Sequence, residues 1–477
     1  MGVAAASPAW AGHSYTELYN PFYEVGVGLV VVVSFLLIAT FLRRAARAGW
    51  PRYDVLLHVP AVQSTAARLG IRLLRGLGVG AFALFVVAGL IGSRIETWNI
   101  APTGLWLVAW IVLPTLQILV GDVWSVVNPW KAVFAWFGPA GRRSRYPERV
   151  GVWPAVALFL GLVWLSGLWA DVGNPRMLAL LLVAYAALTW TGMALFGAHV
   201  WLHRGDCFTV FYTLLAAMGP LERRVPAGGA CERCGLGCGN AAGECIDCEE
   251  CYARAPRRQL NLRPWAVGLL ARPTAGLDVT AFVLLMLGGG MFGGILDTRW
   301  WERVRVGLGL TAERAWGLDS LALGAFMALT LAAYGLASGL AGLSATTGWS
   351  AADVGRAFAF SLVPLAAGFH LTHGFDHSME SIQLLVRLVS DPFGFGWDLF
   401  GTRTRRFARP DPRIVWHAQL GVIVGAHVAG IWIAHAQALT SFGSGAVALR
   451  SQVPMVAVMV LFTISGLWIL SRIPMVM

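Results

Sequence analysis

"WHAQLGVIVGAHVAGIWIAH", residues 416–435, contains no Asp, Glu, Lys or Arg, yet it carries three histidines. As a helix, a run of that length crosses a hydrocarbon core of about 30 Å. At about 100° per residue, His417, His427 and His435 fall on one face of it. Similar runs recur along the chain. Apolar residues make up 57% of its 477 positions and charged residues 13%, about half the charged share of a soluble domain. The pattern predicts an all-α fold, a polytopic transmembrane helical bundle of about ten spans. These lie near 22–42, 75–95, 103–121, 151–170, 177–199, 277–296, 317–341, 353–375, 414–437 and 452–471. The 22 tryptophans suit anchoring at the two membrane interfaces.

The formal net charge of +11 is almost wholly arginine, Lys131 being the only lysine. The arginines sit in short loops, where they orient a membrane protein and give no nucleic-acid surface. Loop 43–74 carries Arg43, Arg44, Arg47, Arg52, Arg68 and Arg72. Loop 122–150 carries Lys131, Arg142, Arg143, Arg145 and Arg149, and loop 200–276 carries Arg204, Arg223, Arg224, Arg254, Arg257, Arg258 and Arg263. Counting spans puts all three loops on one side, which the positive-inside rule makes cytoplasmic. The expected location is the cytoplasmic membrane, with the N-terminus and segment 297–316 outside. The first 21 residues hold no Lys or Arg, so the run from Phe22 reads as a retained span and not as a signal peptide.

The chain divides into N-terminal spans (1–199), a cytoplasmic segment (200–276) and C-terminal spans (277–477). Residues 353–390 fit either one span followed by an interfacial helix or two short crossings broken near Gly374. Ten simple spans put Arg403, Arg405, Arg406 and Arg409 outside, against their preference. "GDVWSV" (121–126) and "GDCFTV" (205–210) each follow a span, and "SDPFGFGWDLFGTRTRR" (390–406) echoes them loosely. Either helix-pair units are duplicated, or helix exits at one interface share a composition. Asp122, Asp206 and Asp391 read as helix-end caps.

Six of the seven cysteines crowd into "CERCGLGCGNAAGECIDCEECYARAP" (231–256). In a reducing compartment clustered thiols point to metal before disulfides, which makes Cys231, Cys234, Cys238, Cys245, Cys248 and Cys251 the candidate ligands. Cys245-x2-Cys248-x2-Cys251-x3-Ala255-Pro256 is the ferredoxin run with its fourth cysteine replaced by alanine. An iron–sulfur cluster there would borrow a thiolate from Cys231, Cys234 or Cys238. Alternatively, Cys231-x2-Cys234 and Cys248-x2-Cys251 are two knuckles of a zinc ribbon, closed by four thiolates at about 2.3 Å. Both templates remain open. Cys207, isolated at a span exit, reads as a small packed residue.

"GFHLTHGFDHSMES" (368–381) places His370, His373, His377 and Glu380 within about 80° of one another on a helix. Ionisable groups at membrane depth face a bundle interior and mark a functional path. His370, His373, His427 and His435 are therefore candidate cofactor-binding residues. They could ligate haem iron, hold another metal together with Asp376 or Glu380, or relay protons. The simpler alternative is hydrogen bonding between helices. His199 and His203, four apart, read first as interfacial residues and second as a conduit to the cysteine loop. Walker A, H-E-x-x-H, G-x-S-x-G and Rossmann signatures do not occur.

"NPWKAVFAWFG" (128–138), "FHLTH" (369–373), "SDPFGFGWDLFGT" (390–402), "QLGVIVGAHVAGIWIAHAQAL" (419–439) and "SQVPMVAVMVLFTISGLWILS" (451–471) resemble a family of bacterial and archaeal polytopic membrane proteins. Its members carry the label fenitrothion hydrolase. The resemblance covers the chain from about residue 100 onward and is best after 360. It implies hydrolysis of an organophosphate triester, and it matches His370, His373, His427 and His435 to histidines of the family. His377 falls outside the match, and the cysteine loop is not part of the family pattern.

Three functions fit these features. One is a redox protein passing electrons between a cytoplasmic iron–sulfur centre and a His-ligated cofactor, a quinone or a redox partner protein in or at the lipid bilayer. A second is a membrane metal-dependent hydrolase with a structural zinc loop. The third is a transporter or channel whose internal symmetry is real.

Overall fold

The computed structural model describes residues 22–41, 50–138, 144–226, 234, 236, 238–240, 243–272, 274–311, 314–345, 348–405, 407, 410–442 and 445–472. Cys231, the arginines Arg43, Arg44, Arg47, Arg142, Arg143, Arg406 and Arg409, and the side chains of Asp376 and His377 lie outside the described residues.

Among the described residues, nine helices are long and apolar enough to cross a membrane. With them stands α1 (Phe22–Phe41), whose described apolar part is Leu29–Ile38. The long helices are α2 (Thr65–Ile91), α3 (Ile100–Leu119), α5 (Trp153–Leu168), α6 (Pro175–Phe196), α10 (Leu277–Leu296), α12 (Trp316–Ala345), α14 (Val363–Ser390, led by α13, Ala351–Phe358), α15 (Pro412–Phe442) and α16 (Gly445–Arg472). Between them lie the shorter α4 (Pro129–Phe137), α7 (Ala198–Arg204), α8 (Cys207–Ala216), α9 (Glu249–Arg254) and α11 (Arg299–Gly307). The chain is a helical, multi-pass membrane protein, as its apolar periodicity predicts.

Local chemistry sets the helix boundaries. Asn174 caps α6 by accepting from the amides of Arg176 and Met177, with Pro175 at the first helical position, where its missing amide costs nothing. Ser350 and Asp353 close a reciprocal capping box at α13, satisfying two of the amides a helix start leaves unpaired. Small residues let helices approach: a Cβ on Gly466 of α16 would stand 1.8 Å from the Phe369 ring of α14, the close contact that membrane bundles use in place of a hydrophobic driving force.

The aspartates of the two best echoes act as caps. Asp122 accepts from the Ser125 amide at 3.1 Å and Asp206 from the Thr209 amide at 3.0 Å, the same offset in both segments. The echoes also touch, Trp124 Nε1 donating to Thr209 Oγ1 at 2.9 Å. Asp391 ends α14 and accepts from the amides of Phe395 and Gly396.

α14 runs unbroken through Gly374 to Ser390. Its exit lies against the loop after α2: the Ser93 amide donates to Phe393 O at 2.7 Å and the Ile100 amide to Pro392 O at 3.0 Å. Residues 391–405, Arg403 and Arg405 included, therefore belong to the end of the bundle opposite the cysteines, as ten simple spans place them.

The cysteine end carries a feature the apolar pattern does not disclose. Four short strands, β1 (Tyr53–Asp54), β2 (Leu221–Val225), β3 (Cys245–Ile246) and β4 (Gln259–Leu262), form an antiparallel sheet in the order β1-β4-β2-β3. β2 and β4 pair directly, Leu221 opposite Leu262 and Arg224 opposite Gln259. The five described cysteines of the cluster thus lie between the two strands of one hairpin.

Candidate metal centre and histidine-lined cavity

The hairpin stands on a buried charge network. Arg263 and Glu222 pair at 3.3 Å. Glu222 also accepts from Arg52 Nε at 2.8 Å and Asn261 Nδ2 at 3.2 Å. Arg263 reaches Asp247 at 2.8 Å and the carbonyls of Gly219 and Ala217. Asp247 sits between Cys245 and Cys248 with φ +57°, a left-handed conformation that asparagine and aspartate tolerate better than other side chains. Asp247 and Arg223 hold the bend through two bonds: the Asp247 amide donates to Arg223 O at 2.7 Å, and the Asp247 carboxylate Oδ1 accepts from the Arg223 amide at 3.0 Å.

Above that bend, the sulfurs of Cys234, Cys238, Cys248 and Cys251 all lie within 4.8 Å of one another. Cys234 and Cys248 stand 3.8 Å apart and Cys238 and Cys251 3.3 Å apart. Cys245 adds a fifth thiol, 3.1 Å from Cys238. Each of these five cysteines is free of disulfide bonding. Four converging thiols can bind a metal ion. The thiols perturb one another strongly: hydrogen bonds from Cys234, Cys238 and Cys245 hold Cys248 far below the usual thiol range, while the bond to Cys234 pushes Cys238 up.

His199, at the start of α7, completes the cluster's surroundings. Its Nε2 lies 3.5 Å from the Cys234 sulfur, 3.6 Å from Cys248 and 3.4 Å from Glu250. Burial pulls this imidazole down, but its bonds to the two thiols and the charges of Cys248 and Glu250 outweigh that and raise its pKa to about 9. His203 packs on it, ring centroids 4.6 Å apart. Burial and then the charge of His199 push His203 down to about 4. The sequence offered His199 as a conduit to the cysteine loop only in second place; its spacing four residues before His203, just after a span, was the available signal. Lys131 of α4 is ion-paired with Glu249, next to Cys248, and Arg223 Nη2 reaches Ser125 Oγ at 2.6 Å. The hairpin module is thereby tied to α4 and α7.

The four membrane histidines have separate partners. His370 Nε2 lies 2.6 Å from Trp110 O, within a π-helical turn at Val108–Val112 of α3, a kind of irregularity frequent at functional sites. His373 Nε2 faces Asp297 at 3.7 Å. Both imidazoles line one cavity of about 550 Å³. His427 is held by Ile423 O at 2.8 Å and by Thr463 of α16, and His435 Nδ1 by Gln452 Oε1 at 3.1 Å. His417 is exposed and bonds to Arg413 O, and Glu380 is exposed on α14. The structure brings His370 and His373 together and places His427 and His435 in other hydrogen-bonded positions. Cys207 is fully buried in α8, 3.3 Å from Tyr185 Oη, the small packed residue its isolation suggests. Set against known proteins, the chain matches no family model, no curated protein and no solved structure, so the centre rests on its own geometry.

Proposed function

We propose that this protein is a membrane metalloprotein in which Cys234, Cys238, Cys248 and Cys251 hold one tetrahedrally coordinated ion at the cytoplasmic face, zinc, and that the ion is a structural staple. The observation that supports this is the sulfur spacing. Ligands bound tetrahedrally at about 2.3 Å stand about 3.8 Å from one another. Cys234 and Cys248 are 3.8 Å apart, Cys238 and Cys251 3.3 Å, and all four sulfurs lie within 4.8 Å. A four-iron cluster interposes metal and sulfide between its thiolates and spreads them further. The cytoplasmic assignment comes from the arginine-rich loops that share this end. An ion there would close the hairpin connection and hold it on α4 and α7 through Lys131–Glu249 and His199. Metal analysis of protein purified in detergent tests the reading. One zinc per chain and no visible absorption is expected. Stoichiometric iron with acid-labile sulfide would overturn it.

A second reading, electron transfer through an iron ion in the same four thiolates, draws on a run of aromatic contacts. Trp124, beside the Ser125 that holds the module, lies 4.9 Å from Tyr212; Tyr212 and Phe211 are 5.4 Å apart; Phe211 is 5.4 Å from His370. Visible absorption bleached by a reductant and lost in Cys248→Ser would favour it over the staple. The family resemblance makes triester hydrolysis a third activity to assay, with His370 and His373 as the residues to vary.

A further inference from the structure

The cavity holding His370 and His373 has a chemistry of its own. Its volume of about 550 Å³ is that of a small-molecule site. It lies among α3, α5, α10 and α14, and its rim is at the end of the bundle opposite the thiols. Two carboxylates from separate loops stand there, the exposed Glu96 between α2 and α3 and Asp297 at the end of α10. No Lys or Arg is among its described lining residues. Arg387 lines an adjoining space of about 390 Å³, which shares Glu96 and Trp106 with the cavity and also contains Glu380.

Five aromatic rings, Trp106, Trp110, Phe159, Phe211 and Phe292, stand in walls that are otherwise mainly aliphatic and glycine, with the two carboxylates as the anionic groups. The indoles of Trp106 and Trp110 are parallel to within 9°, centroids 6.2 Å apart, and their π faces attract cations. A carbonyl only accepts, so in the 2.6 Å contact with Trp110 O it is His370 Nε2 that donates. The space is built in: Gly289, Gly290 and Gly293 of α10 line it, and a Cβ at Gly290 would meet nothing within 4 Å. Carboxylates at a low-dielectric mouth repel anions and concentrate cations.

We infer that this cavity binds a lipophilic monocation, an organic ammonium or phosphonium with an apolar body, its charge held between the Trp106 face and the carboxylates of Glu96 and Asp297. The site requires neither the thiol-bound ion nor its identity, so failure here leaves the metal reading untouched. Tetraphenylphosphonium and tetraphenylborate, nearly equal in size and opposite in charge, provide the test. Both are titrated against the purified full-length protein in detergent, with binding followed by tryptophan fluorescence and calorimetry. Saturable binding of the cation alone is expected. Glu96→Gln combined with Asp297→Asn should weaken it about ten-fold, and Gly290→Leu, which adds bulk at a lining position where a Cβ meets nothing within 4 Å, should abolish it. An unchanged size-exclusion profile and helical circular-dichroism melt in both variants show that they have folded. Equal binding of the two ions, or full binding of the cation by Gly290→Leu, overturns the proposal.

Discussion

Arg263 and Glu222 meet at 3.3 Å with both side chains wholly buried, at the foot of the hairpin that carries the cysteines. Removing one partner of a buried pair strands the other charge, at a cost of about 3–5 kcal/mol, while an apolar pair of similar volume is close to neutral. Arg263→Met should therefore lower the thermal unfolding midpoint strongly. The double variant Arg263→Met, Glu222→Leu should recover much of the loss. A double variant worse than the single one would show that the bonds of Glu222 to Arg52 and Asn261 outweigh the cost of its stranded charge.

Only four of the five described thiols of the hairpin converge as a ligand set. Serine at Cys234, Cys238, Cys248 or Cys251 should take the metal content from one ion per chain to well below half. Cys245→Ser should keep the ion, because that sulfur neighbours Cys238 without belonging to the set. Metal analysis of the five variants separates these outcomes.

His203 contributes a pH dependence whose sign follows from its depressed pKa. The unfolded imidazole takes a proton near pH 6.5, whereas burial and the charge of His199 delay this in the fold to about pH 4. Stability from this group is complete above 6.5 and is lost as the pH falls toward 4. His203→Gln should flatten the decline in unfolding temperature between pH 7 and pH 5. Thiolate protonation affects both proteins alike, so the difference between the two slopes isolates the histidine.

Gly466→Ala should destabilise the bundle by about 1–3 kcal/mol, because the added methyl would sit 1.8 Å from the Phe369 ring. Gly421→Ala in α15, where a Cβ meets nothing within 4 Å, should be neutral or stabilising, since alanine favours helix over glycine by up to about 1 kcal/mol. Melting curves of the pair measure packing separately from helix propensity.

The spans were legible because an apolar run of 20 residues is a local property, and the thiol cluster because cysteine spacing is too. The sheet was not. β2 reads Leu-Glu-Arg-Arg-Val, its partners are two to four residues long, and Glu222 is buried only because Arg52 and Arg263 arrive from distant segments. The histidines show the same limit. A helical wheel gives the face of His427 and His435 but not their partners, and Thr463 and Gln452 of α16 engage both. The ring of His199 meets Cys234 and Cys248 across 35 and 49 residues of sequence, a distance no local pattern spans.

Because Arg224 faces Gln259 across the hairpin, the chain leaves the sheet and rejoins it at neighbouring positions. A two-residue turn could bridge that gap, so the thiol-bearing segment is a cassette whose loss or acquisition asks no helix to move. The transmembrane body and the thiol-bearing segment are in that sense joined at one pair of neighbouring sheet positions.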